Sequence, residues 1–94
     1  RQPIILLSDQ NAIATINQLA IERDVLNCRV IIARSLSDIT AISQEITPLL
    51  IVNNSHYLLD DAVKNSITIK NIITAAGIEQ IKHFLATAFI RQQP

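Results

Sequence analysis

Residues 4–15, "IILLSDQNAIAT", pass from an unbroken apolar run through a polar loop into a segment of helical character. Continuous rather than alternating hydrophobicity over residues 4–7 marks a strand buried on both faces, as in a parallel sheet. Ser8, Asp9, Gln10 and Asn11 break the run, and from Asn11 the pattern turns helical through residue 26. Ile13, Ile16, Leu19 and Ala20 are expected on the covered face, with Asn17, Gln18, Glu22 and Arg23 facing water. In a parallel sheet such a junction is where ligands sit, because the helix N-terminus aims N–H groups and a positive dipole end at the strand end. Residues 8–12 (Ser8, Asp9, Gln10, Asn11, Ala12) are therefore the candidate anion loop. Against that role, the loop has no glycine, cysteine or lysine, and Asp9 would repel a phosphate. The simpler expectation is that Ser8 or Asp9 merely caps the helix.

The same alternation continues along the chain. Strand two is read at residues 29–33, "RVIIA", and Ser35 with Asp38 forms a capping-box pattern that opens a short helix carrying Ile39 and Ile42. Pro48 ends that connection. Strand three spans residues 49–52, "LLIV", and "NNS" offers caps for a helix carrying Leu58, Leu59, Ala62 and Val63. Residues 66–73, "SITIKNII", begin with period-two alternation, so Ile67 and Ile69 share one face and Thr68 and Lys70 the other. A final helix bears Ile78, Ile81, Leu85, Ala88 and Phe89 as one stripe, with Glu79, Lys82 and His83 opposite. The expectation is an α/β three-layer sandwich, a four-stranded mainly parallel sheet in βαβαβαβα order, with helices on both faces and the strand ends where ligands bind opening on one rim at residues 8–11, at Ser35, at residues 53–56 and at residues 74–77.

Composition bounds the function. With 94 residues and 49% hydrophobic content the chain is read as a single domain with a compact core. Eight basic side chains balance eight acidic ones, so no global field draws in nucleic acid or an anionic membrane. No apolar run reaches the ~20 residues that span a bilayer, and a cytoplasmic location is expected. The single cysteine, Cys28, cannot form an internal disulfide, has no companion residues for a metal site and reads as a small buried hydrophobe beside strand two. His56 and His83 lack companions at metal-ligand spacing, no cofactor or metal is implied, and Asp60, Asp61 and Lys64 read as a solvated face. The abrupt start on a strand and the "RQQP" end suggest a module of a longer polypeptide.

Two partial patterns compete with a fuller one. "ILLSDQN" and "LLIVNN" resemble the acidic strand ends of receiver domains, but Asp9 stands alone and the phosphorylated position is Asn53. "RSL" and "SITIKNI" resemble an anticodon-binding domain without the basic residues RNA would require. The stretch "IITAAGIEQI", residues 72–81, resembles the last strand, small-residue turn and final helix of galactitol-type IIB (EIIB) domains of the sugar phosphotransferase system (PTS). There the sole glycine, Gly77, would serve a turn needing positive φ or close backbone approach. The resemblance covers essentially the whole chain and implies the same four-stranded fold. It also implies a cysteine phosphoacceptor followed by glycines at the end of strand one, where this chain has Ser8 and Asp9. A serine hydroxyl needs a neighbouring base, which a thiolate at a helix N-terminus does not. Cys28, at the opposite rim, cannot substitute. The resemblance thus implies a non-catalytic domain of a sugar-responsive transcription regulator or antiterminator. It would act through contacts with other phosphotransferase proteins, with other domains of the same regulator or with a second copy. A working phosphocarrier using Ser8 or His56 is the alternative.

Overall fold

The structure, a computed structural model, describes residues 2–25, 28–59, 63 and 65–92, with backbone alone for 88–92. Seven elements follow in order: β1 (Ile4–Ser8), α1 (Asn11–Asp24), β2 (Val30–Ala33), α2 (Leu36–Glu45), β3 (Leu50–Asn54), β4 (Ser66–Thr68) and α3 (Ala75–Gln92). All strand pairs are parallel and the sheet order is β2-β1-β3-β4. β1 lies inside the sheet, Ile4 beside both Val30 and Leu50, and every one of its residues is buried. That is the reason its hydrophobicity does not alternate.

Alternate residues of β1 feed two cores. Ile4 and Leu6 pack with Ile21 of α1 and with Ile78 and Ile81 of α3. Ile5 and Leu7 pack with Ile39 of α2 and, from the β3–β4 connection, with half-buried Tyr57, Leu59 and Val63. The result is the expected three-layer α/β sandwich. Ser35 caps α2 by accepting from the Asp38 N–H at 3.2 Å, while the Asp38 carboxylate accepts from the Arg34 N–H at 2.9 Å, one residue earlier than a standard capping box.

Four expectations change. The helix expected after strand three is not seen in described residues 55–59, 63 and 65, and Leu58 is 92% exposed. Asn53 explains this. Its side-chain oxygen accepts from the Ser55 N–H and hydroxyl, and its amide donates to the Tyr57 carbonyl at 2.7 Å, a local turn that competes with helix initiation. The positions read as a solvated face, 60, 61 and 64, lie outside the described residues, as does 62.

The second change is rotational. In α1 the buried residues are Ala14, Asn17, Ala20 and Ile21, while Ile13, Ile16 and Leu19 are exposed. Gln18 donates to the Val30 carbonyl at 2.9 Å and Glu22 accepts from the Val30 N–H at 3.1 Å. These two side chains satisfy the outer backbone groups of Val30 on edge strand β2, so polar residues turn inward and aliphatic ones outward. Thirdly, β4 stops at Thr68, yet Ile67 and Ile69 are buried and Thr68 and Lys70 exposed, as their alternation requires.

Gly77 is the fourth. It lies inside the first turn of α3 without positive φ. Close approach is its role: a methyl group there would collide with the Asn71 carbonyl oxygen and stand 3.0 Å from that of Ile72. Ile78, Ile81 and Leu85 line the covered side of α3 and Glu79, Lys82 and His83 the exposed side, whereas the side chains of Ala88 and Phe89 lie outside the described residues. Cys28 packs against the first core but is only half-buried, less covered than the sequence reading expects.

Candidate functional site

From β1 the chain crosses to β2 on one face of the sheet, and from β3 it crosses to β4 on the other. The crevice between β1 and β3 is therefore the topological switch point, where open α/β sheets bind ligands. A cavity of about 520 Å³ opens there. Its wall combines the first loop (Asp9, Gln10), one side of α1 (Ile13, Ile16, Asn17), the end of β3 (Asn53 to His56) and the descent from β4 into α3 (Thr68 to Thr74).

Three of the four rim segments singled out from the sequence thus meet. The fourth, Ser35, stays apart as the cap of α2. Within the first loop the roles differ from expectation. Ser8 is 1% exposed, and its hydroxyl is within 3.5 Å of the Gln10 carbonyl and 3.4 Å of the Gln10 N–H. Neither Ser8 nor Asp9 caps α1; Gln10 occupies the cap position without a side-chain bond, its carbonyl accepting from Ile13 and Ala14. Asn11 and Ala12, exposed in the first turn, follow it, and the Asn11 side chain pairs with Arg34.

Asp9 reaches across the crevice instead. One carboxylate oxygen accepts from the His56 backbone N–H at 3.0 Å and contacts the ring Nδ1. The ring hydrogen bond, reinforced by the backbone one, holds the Asp9 carboxyl below the usual carboxylate range. The His56 ring stacks on Tyr57 with centroids 4.5 Å apart. Among the described residues Asp9 is the one carboxylate in the cavity wall, so these residues form no acidic cluster of the receiver kind there. Among the described residues no group of histidine, cysteine and carboxylate side chains could hold a metal ion.

Asparagines build the interior. Asn17, 2% exposed, donates to the Asn54 side-chain oxygen at 3.0 Å. The Asn54 amide in turn donates to the carbonyls of Ile69 at 2.8 Å and Lys70 at 3.0 Å. This relay ties α1 to β3 and to the end of β4. It also fixes the Asn17 carboxamide with its oxygen turned from Asn54, and that buried oxygen has no donor among the described residues. Asn17 escapes a reading by hydrophobic period alone; the signal for it is the spacing Ala14, Asn17, Ala20, Ile21, a covered stripe interrupted by one amide.

The family described as "Frv operon regulatory protein FrvR, fourth domain" matches residues 1–88. Over 94 residues the chain is 89% identical to the "Putative frv operon regulatory protein" of Escherichia coli (strain K12), covering all of this chain and 16% of that protein. No solved structure matches. No helix among the described residues is long and apolar enough to cross a membrane. By the match over residues 1–88, the chain belongs to the family of FrvR fourth domains.

Proposed function

We propose that this chain is a IIB-like domain that has lost phosphotransfer and serves a cytoplasmic, sugar-responsive transcription regulator through protein–protein contacts. The observation that carries the reading is Ser8. It occupies the strand-end position at which the resemblance puts a phosphoacceptor, yet it is 1% exposed, with its hydroxyl lying against the Gln10 backbone at 3.4–3.5 Å. An attacking hydroxyl needs an adjacent base. The rim histidine, His56, is turned to Asp9 instead. The name of the 89% identical relative, an operon regulatory protein, agrees with a regulatory role.

Contacts would be made with other phosphotransferase proteins, with other domains of the same regulator or with a second copy, and not with DNA directly. Isotope-labelled chain titrated with the histidine phosphocarrier and IIA proteins, and with the remaining part of the regulator, tests this. Saturable shifts confined to one surface support the reading. Absence of shifts with every one of these partners, together with a monomeric mass in solution, overturns it.

A further inference from the structure

We propose that the cavity at the β1/β3 switch point binds a small uncharged ligand that joins a branched aliphatic body to an N–H or O–H donor. Its volume, about 520 Å³, falls within the range of small-molecule sites. The polar side of the argument is Asn17. Its carboxamide is oriented by Asn54, which is itself held by two backbone carbonyls, so rotating the amide would trade one lost bond for another. The orphaned oxygen accepts hydrogen bonds only, and a buried acceptor without a donor is costly enough to call for one.

The apolar side is Ile13, Ile16 and Ile73, which flank the cavity while remaining 41%, 54% and 59% exposed. None of them belongs to either core cluster. Ile13 and Asn17 stand one turn apart on the same side of α1 and both line the cavity, so a ligand that covers the aliphatic mouth has its polar end beside the amide. The inner end of the ligand should be neutral, because Asp9, the one carboxylate among the described residues of the wall, already accepts from His56, the inner polar groups are uncharged carboxamides, and the cation of the wall, Lys70, is exposed. This proposal rests on the cavity alone and stands or falls independently of the regulatory reading.

Isocaproamide, methyl isocaproate and isocaproate share a branched body and differ in donor and charge. Titrated into the isotope-labelled 94-residue chain, isocaproamide should shift the Asn17 and Asn54 side-chain amides and the Ile72 and Ile73 backbone signals. The ester and the carboxylate should bind roughly tenfold more weakly or less. Asn17→Leu should erase the preference for amide over ester. Ile16→Glu, at an exposed position that leaves the fold intact, should abolish binding of all three. Equal affinities of the native chain for amide and ester, shifts confined to residues outside the cavity wall, or no shift with any probe would overturn the proposal.

Discussion

Gly77 and Asp9 show how single residues are constrained from opposite directions. At Gly77 the constraint is steric, because the Asn71 and Ile72 carbonyls pass where a side chain would begin. Gly77→Ala should therefore lose about 1–3 kcal/mol to overpacking despite the better helix propensity of alanine, read as a lower urea midpoint at unchanged slope. At Asp9 the constraint is electrostatic. A carboxyl whose pKa falls on folding adds stability above its unfolded value, near pH 4, and loses that contribution as pH drops through the lower folded value. Between about pH 5 and pH 3 the urea midpoint of Asp9→Asn should thus fall less steeply than that of the native chain. The need for glycine at position 77 is legible in sequence as the lone glycine of the chain, but which need it serves is not. Close approach and positive φ demand the same residue, and only the path of residues 71–72 separates them. The Asp9–His56 contact joins positions 47 apart, and no local pattern encodes it.

At the level of elements, strand identity is legible because burial on both faces leaves continuous apolar runs, as at Ile4, Ile5, Leu6 and Leu7. Helix orientation in α1 is not. Ile13, Ile16 and Leu19 satisfy a helical period as well as Ala14, Ala20 and Ile21 do, and tertiary hydrogen bonds from Asn17, Gln18 and Glu22 decide between the two faces. The two readings predict opposite stabilities. Ile21→Ala, at a fully buried position, should cost about 2–5 kcal/mol, whereas Ile16→Gln should change stability by less than about 0.5 kcal/mol. Chemical denaturation of both variants measures the difference. The described residues of the β3–β4 connection, 55–59, 63 and 65, are not helical for a related reason, since Asn53, 1% exposed, spends its amide on a turn and on Thr68 rather than on starting a helix.

For the whole molecule, the parallel order β2-β1-β3-β4 gathers the loop after β1, the end of β3 and the descent from β4 around one crevice, and sets the start of β2 at the opposite rim. Three rim segments read from the sequence meet there because connection length and handedness confine where each strand can end. The contents of the crevice differ from expectation: a hydroxyl enclosed at Ser8, a carboxylate bridged to His56 and an asparagine relay in place of a phosphate cradle. The chain spans 16% of its E. coli relative, so its signalling role is proposed for a domain within a larger regulator. The most direct test is the intact mass of the chain after incubation with phosphoenolpyruvate, enzyme I, the histidine phosphocarrier protein and the matching IIA protein. The account predicts an unchanged mass, and one phosphoryl group bound covalently to Ser8 would contradict it.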